Sequence, residues 1–498
     1  MDTEITVSLL DAGKRLYDLL LSRGHPFFAP CGGKGICGKC RVTLLEGVLL
    51  DAKGEPILPD ENGEVLSCHA YVSDTGCRIR LPSLSGGGLT ATTSCGNFAS
   101  ERFDVALDIG TTTLAAALVD PDSGAVLKTA SALNPEAPFG ADVMSRIDAC
   151  REGKLALMQS LLLSAVGSLM KELTEGKGKI SRLYAVGNPT MTHIFLGISP
   201  EGMGQYPFTP AFLSTEYRKG EALSLPCEDV VVLPAASAFI GSDVTVGAYY
   251  LGMKNAEKTV LFDIGTNGEI LFADGDSLYA TSCAAGPALE GARISSGMGG
   301  VAGAVSSVQK VDGVYRYTTV EDKEAIGICG AGLCDLIAEL LRDGIIDESG
   351  YLEDTYRLTG EHKTQDRIAP SAPTSVTLTA GDVRELQLAK SALRAGLEAL
   401  LSEANVSPSS LTALYLAGGL GYYLSPESAE RIGMFSEDIS RVIQPVGNAA
   451  LLGAVKALCE KDAIEEIEAL CRRVTTLDLN KSAVFSELFM EYMLFPEE

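Results

Sequence analysis

The chain has 498 residues, more than the roughly 250–300 over which one hydrophobic core keeps growing, so several domains are expected. Hydrophobic residues make up 46% and charged residues 21%, and the 53 glycines follow no three-residue period, which excludes a disordered or collagen-like chain. Lys+Arg 40 against Asp+Glu 65 leaves a net charge of −25, which argues against nucleic acid or an anionic membrane as partner.

The first segment, MDTEITVSLLDAGKR, mixes acids into its start and lacks a basic stretch followed by an apolar run, so no signal peptide is expected. The longest uncharged apolar stretch, Leu155 to Met170, is shorter than the roughly 20 residues of a spanning helix. Membrane insertion is therefore not expected, and a reducing cytoplasm is the default setting. There, 13 cysteines, an odd total, favour a metal site plus scattered core thiols over a disulfide framework.

EITVSLL and CRIRLP read as strands and AGKRLYDLLLSRG as an amphipathic helix. Among these elements lies CGGKGICGKC, which spaces Cys31, Cys37 and Cys40 as C-x5-C-x2-C, and after 27 intervening residues comes Cys68. The four glycines let the backbone fold tightly, so that amide N–H groups can approach the sulfurs. A structural zinc site would want a second close cysteine pair, and a redox CxxC normally opens a helix, whereas RVTLLEG after Cys40 reads as a strand. Cys77, in a strand, is read as an inert buried thiol. The loop resembles that of [2Fe–2S] ferredoxins with one residue added, and residues 1–82 resemble the adrenodoxin-like ferredoxins. That resemblance implies a β-grasp domain whose metal ligands are Cys31, Cys37, Cys40 and Cys68.

Residues 83–102, rich in Gly, Ser and Thr, read as a flexible linker. Beyond it the sequence repeats itself. FDVALDIGTTTLAAALVD parallels TVLFDIGTNGEILFAD, and LYAVG at Leu183–Gly187 parallels LYLAG at Leu414–Gly418, in the same order. Two homologous halves are expected, 103–257 and 258–498, with C-terminal helices able to pack back on the first half. Each DIGT turn places a carboxylate, Asp108 or Asp263, at a strand end. Gly110 and Gly265 then expose backbone N–H groups and the side chains of Thr111, Thr112, Thr266 and Asn267 to phosphate oxygens. The carboxylates can hold hydrated Mg2+, and one of them can orient an attacking water. Gly418, Gly419 and Gly421, and Gly330 with Gly332, can lay backbone against a nucleotide, or can equally serve tight turns.

These motifs resemble the ASKHA superfamily of kinases, chaperones and actin. The resemblance implies a duplicated RNase H-like ATPase, with Asp243 as a further carboxylate near the cleft and Asp263 as first candidate for positioning water. The fold class expected is thus α+β and α/β multidomain. Fused to a ferredoxin domain, and with NPEAPFGADVMSRI, GNPTMTHIFLGI, CAAGPALEGARISSGM and DVRELQLAKSALRAG in order, the chain resembles the ATP-dependent reductive activators of corrinoid proteins. That resemblance implies a [2Fe–2S] cluster and ATP with Mg2+, reduction of inactive Co(II) to Co(I) in a methyltransferase-associated or iron-sulfur corrinoid protein, and an upstream low-potential electron donor. An ATP-driven donor to another enzyme and a redox-sensing small-molecule kinase are the rival readings. Relative to longer members, a middle domain is expected to be missing, because Arg102 leads almost directly into the Asp108 strand; a second, C-terminal cluster is not expected. Asp142 and Arg146, one helical turn apart, are read as a solvated pair at least as readily as a site, His193 as structural, and Cys283, Cys329 and Cys334 as inert core thiols.

Overall fold

The computed structural model describes residues 3–23, 25, 33, 35, 40–60, 62–81, 101–364, 368–370, 376–421 and 423–497. The first unit consists of β1 (Thr3–Val7), α1 (Leu16–Ser22), β2 (Arg41–Leu50), β3 (Glu64–Leu66) and β4 (Tyr71–Leu81), with sheet order β1-β4-β2-β3. β1 alternates, turning Ile5 and Val7 inward, and α1 lays Leu16, Leu19 and Leu20 on the sheet. This is the β-grasp pattern expected from the sequence.

The second unit begins with β5 (Arg102–Ile109), β6 (Thr113–Val119) and β7 (Val126–Leu133), then α2 (Val143–Ala149), α3 (Leu155–Thr174), β8 (Lys179–Gly187), α4 (Pro189–Leu196), β9 (Glu216–Lys219), β10 (Cys227–Val232) and α5 (Ser242–Tyr250). Its sheet runs β7-β6-β5-β8-β10-β9. β5 pairs antiparallel with β6 and parallel with β8, which sets Asp108 and Ile109 beside Val186 and Gly187 at the same sheet end. Covered on both faces, β5 and β6 are near-continuous apolar runs rather than alternating ones. Among the described residues one helical run, Val143–Thr174, is long and apolar enough to cross a membrane by length and composition. It is interrupted at Gly153 (φ 81°), and α3 sends Met158, Leu162, Val166, Leu169 and Leu173 into the core.

The third unit repeats the plan with β11 (Thr259–Ile264), β12 (Gly268–Asp274) and β13 (Ser277–Cys283). An insertion follows, with β14 (Ala304–Val311), β15 (Val314–Thr319), β16 (Gly327–Ile328), α6 (Gly330–Arg342), β17 (Tyr356–Arg357), β18 (Glu361–Lys363), β19 (Ile368–Pro370) and β20 (Thr377–Leu378). Next come α7 (Ala380–Glu403), β21 (Ala413–Ala417), α8 (Gly418–Gly421), α9 (Pro426–Arg431), α10 (Glu437–Ser440), β22 (Ile443–Gly447), α11 (Ala449–Cys459), α12 (Ala463–Arg473), β23 (Val474–Thr476) and α13 (Ala483–Glu491). The main sheet runs β22-β21-β11-β12-β13-β23, so from β13 to β22 it matches the order from β7 to β10 in the second unit. β11 pairs antiparallel with β12 and parallel with β21, as β5 does with β6 and β8. The two halves therefore share the RNase H-like order. α11 crosses back to cover the first half: Ala450, Leu451, Ala454 and Leu458 pack with Ala106, Ala115 and Val186. Its Gly453 lies so close to α5 that an added Cβ would sit 2.3 Å from the Val246 carbonyl oxygen.

Candidate functional site: a thiol pair and a carboxylate-lined cleft

In the first unit, Cys40 precedes β2 and Cys68 lies in the 3-10 turn Ser67–His69 after β3. Because Arg41 pairs with Leu66, the residues just beyond that pair meet, and the Ser67 amide donates to the Cys40 carbonyl over 2.9 Å. Cys40 is 1% exposed, and Arg15 Nε donates to the Cys68 carbonyl over 2.8 Å while the same guanidinium reaches the Gly33 carbonyl. Gly35 sits at φ 78°, and a Cβ there would lie 2.4 Å from His69 Nε2, so Gly35 lies directly against the Cys68 turn. Cys77 instead opposes Val7 and Gly47, seven residues along β2 from Cys40 (47 − 40 = 7), which at about 3.3 Å per residue is roughly 20 Å away. Burial pushes its thiol up to about 11. Cys31 and Cys37 fall outside the described residues.

Between the two halves lies the cleft. Asp108 and Asp263 stand at the ends of the two central strands, paired across their hairpins with Ala115 and Glu269. Asp243 enters from the first turn of α5, whose Ser242 hydroxyl accepts from the Gly187 amide over 3.0 Å and returns a bond to the Gly187 carbonyl, pinning the helix start to the end of β8. Gly241 has to be small here: a Cβ would lie 2.6 Å from Asp243 Oδ1 and from the Gly187 oxygen. All three aspartates are half-exposed at the cleft wall yet surrounded by protein. Desolvation, opposed by a 2.7 Å bond from Asn448 Nδ2 and reinforced by Asp263, raises Asp108 to about 7. Desolvation and then Asp243 raise Asp263 to about 7, and desolvation with the Asp108 charge raises Asp243. Mutually repelling carboxylates in one cleft favour a cation among them. Among the described residues no three His, Cys, Asp or Glu side chains converge as a metal-binding group.

The turns themselves match expectation in place. Gly110 has to be small because a Cβ would meet the Thr113 carbonyl at 2.6 Å, and Asn188 Nδ2 donates to Thr111 Oγ1 over 3.1 Å. The Gly265 amide bonds the Asn267 carbonyl at 2.9 Å, closing the second turn. Gly418 combines φ 89° with a Cβ position 2.6 Å from the Ile264 oxygen and 2.7 Å from Asp263 Oδ1, so only glycine fits against that carboxylate. Gly419 is open to its surroundings, and Gly421 closes the short α8. Gly330 and Gly332 lie in the first turn of α6 and are buried, with Cβ positions 2.0 Å from the Leu289 oxygen and 2.3 Å from the Val305 oxygen, so the packing of α6 requires their small size.

Sequence reasoning missed Glu269 and Glu290. Glu269 is raised well above the ordinary range by desolvation and the neighbouring Asp243 and Asp263. Glu290 joins the two turns: its Oε2 accepts from Thr112 Oγ1 over 2.8 Å and from Thr266 Oγ1. Strand alternation from Asp263 could have flagged Glu269, but nothing local marks Glu290. The solvated-pair reading of Asp142 and Arg146 is corrected. Asp142 caps α2 through the Ser145 amide, while Arg146, 1% exposed, reaches the carbonyls of Gly140 and Thr111, Met191 Sδ and, at 3.2 Å, Glu136 Oε2. Thr111, Thr112, Ala137, Ala141, Arg146, Pro287, Glu290 and Ala292 line one cavity. His193 is buried, its Nδ1 2.6 Å from the Pro189 carbonyl and its Nε2 accepting from the Ala211 amide, as a structural histidine should be. Cys283, Cys329 and Cys334 are buried thiols raised by desolvation.

A duplicated RNase H-like cleft joined to a β-grasp domain with clustered cysteines defines an ASKHA-type protein carrying a ferredoxin domain. Family models agree: that of the 2Fe-2S iron-sulfur cluster binding domain matches residues 2–73, that of the RACo middle region 103–256, and that of the C-terminal ASKHA domain of RACo 257–498. The first model ends before Cys77. The second corrects the expectation of a missing middle domain, since the middle region corresponds to the first half of the cleft. The corrinoid activation enzyme RamQ of Eubacterium limosum is 30% identical over 418 residues, covering 79% of this chain and 70% of that protein. The Co(II) methylated amine-specific corrinoid protein reductase of Methanosarcina barkeri is 24% identical over 428 residues, covering 79% and 76%. A solved reductive activator for corrinoid, iron-sulfur protein superposes with TM-score 0.72 at 27% identity, over 99% of this chain and 96% of that one. The chain belongs to the RACo family of corrinoid activators.

Proposed function

We propose that this chain is an ATP-dependent reductive activator that returns the cobalt of a corrinoid protein from Co(II) to Co(I), one electron at a time. Cys31, Cys37, Cys40 and Cys68 would hold a [2Fe–2S] cluster, which would supply the electron, and an upstream low-potential donor would reload it. The remaining cysteines, 13 − 4 = 9, suit a reducing cytoplasmic setting. The observation that carries the reading is the facing of the two DIGT turns, joined at Glu290 and ringed by Asp108, Asp243 and Asp263, in the same chain as the adjoining Cys40 and Cys68 segments.

ATP with Mg2+ is the ligand these residues fit. Thr111, Thr112 and Thr266 present hydroxyls to phosphates, Gly418 and Gly419 leave room for the nucleoside, and the three aspartates hold the hydrated metal, with Asp263 orienting the attacking water. ATP can drive an uphill electron transfer only by interacting differently with two states of the complex. Asp263→Ala with a fully loaded cluster is expected to lose corrinoid reduction; reduction at full rate without ATP overturns the proposal. Electron paramagnetic resonance of the reduced protein checks the ligand set. Cys77→Ser keeps the normal signal and Cys68→Ser loses it; survival in Cys68→Ser removes Cys68 from the set.

A further inference from the structure

Glu290 lies in the segment GPALEGARISS, whose backbone is held rigidly. Gly286 and Gly291 sit at φ 77° and 81°, a Cβ on Gly291 would be 2.4 Å from the Met298 backbone, and Gly330 presses against the Leu289 oxygen. The segment is thus fixed in place and aims one half-buried carboxylate between the two phosphate turns. That carboxylate accepts from Thr112 of one turn and from Thr266 of the other, 178 and 24 residues away. Its Oε1 lies 3.7 Å from where a Cβ on Gly265 would be. The charges facing it are Asp263 and Glu269 on one side and Arg146 on the other, Arg146 being engaged by Glu136 and the Thr111 carbonyl.

A threonine hydroxyl has one proton to donate. Thr112 and Thr266 therefore cannot serve Glu290 and a phosphate oxygen together. Both hydroxyls belong to the turns to which the proposed function assigns the phosphates, and Glu290 stands between them, so a terminal phosphate seated between the turns meets the two donors that Glu290 holds. Resting on the function proposed above, we infer that Glu290 is a positioning residue that competes with the terminal phosphate of ATP for these two hydroxyls and so sets how strongly the cleft distinguishes a nucleoside triphosphate from a diphosphate. The diphosphate leaves the Glu290 bridge in place; the triphosphate breaks it and hands the carboxylate to the Arg146 side of the cavity.

Glu290→Gln keeps the shape and an accepting oxygen while removing the charge that repels the phosphate. Calorimetric titration of the full-length chain with ADP and with the β,γ-imido analogue of ATP, each with Mg2+, reads the effect. The expected result is about tenfold tighter binding of the triphosphate, equivalent to ~1.4 kcal/mol, with ADP changed less than about twofold. Glu290→Ala is expected to shift the triphosphate-to-diphosphate preference the same way, with a lower thermal midpoint because the bridge between the turns is gone. Equal changes for both nucleotides, or none, in whichever variant folds overturn the inference. Failure of the unmodified chain to bind either nucleotide overturns instead the function on which it rests.

Discussion

Arg146 and Glu136 show how much hangs on a single buried pair. Their side chains are 1% and 0% exposed, and Glu136 Oε1 has no hydrogen-bond partner among the described residues; burial raises this carboxyl to about 7 against the pull of the arginine. Removing one member of such a pair leaves an uncompensated charge, which costs about 3–5 kcal/mol, whereas replacing both with apolar groups is near neutral. Arg146→Met is therefore expected to lower stability by about that amount, and Arg146→Met with Glu136→Leu to regain most of it; equal losses in urea unfolding of the two variants would count against the pair. The spacing from Asp142 to Arg146 told truthfully that the two belong to one helical turn, Asp142 as the N-cap of α2 and Arg146 within it. It carried no information on what covers that helix, which is why a solvated pair was expected. Glu136 is legible as part of NPEAPFG but is marked as functional only by the arginine that meets it.

Helix starts and strand ends place the cleft carboxylates, and their titration follows from that placement. Asp108 and Asp263 titrate near 7 in the folded chain and near 3.9 once unfolded, and Asp243 is displaced in the same direction. A group raised on folding contributes stability that is complete below its unfolded pKa and is lost as pH rises through the folded one. The urea midpoint without nucleotide should consequently fall between about pH 5 and pH 8, and Asp243→Asn should flatten the fall. A midpoint that rises over this window contradicts the assignment. The crossing of α5 and α11 holds Asp243 and Asn448 in the same cleft, and it depends on Gly453 meeting the Val246 carbonyl. Gly453→Val should overpack that crossing by about 1–3 kcal/mol, read as a lower urea midpoint with weaker nucleotide binding. C-terminal helices able to pack back on the first half are expected from the sequence; that α11 is the one that does so is settled by packing.

At the scale of the molecule, the ferredoxin unit and the cleft are physically continuous. Tyr17 of α1 donates its hydroxyl to the Pro138 carbonyl, and its ring covers Gly33, whose Cβ position would be 2.7 Å away. Two residues on, the Gly140 carbonyl receives Arg146, which in turn holds the Thr111 carbonyl of the first phosphate turn. One buried cluster runs through Tyr17, Leu20 and Cys40 to Phe139 and Ile109. Tyr17→Phe keeps the ring but removes the bond. Amide exchange in α1 and across 137–140 should rise together while the reduced-cluster signal stays unchanged; unaltered exchange would show that the hydroxyl ties nothing together.

By itself the sequence determined the cysteine loop, the duplicated DIGT turns, the matching strands before them, and through these the order of domains. Such features are written in residues only a few positions apart, where spacing and periodicity act directly on backbone geometry. Only the tertiary structure decided that Cys68 rather than Cys77 adjoins Cys40, that Gly330 and Gly332 are packed against Leu289 and Val305, that Arg146 is buried, and that Glu290 joins Thr112 to Thr266 across 178 and 24 residues. Those facts depend on which surfaces meet when the halves close, and a contact between distant segments leaves no local mark on either of them.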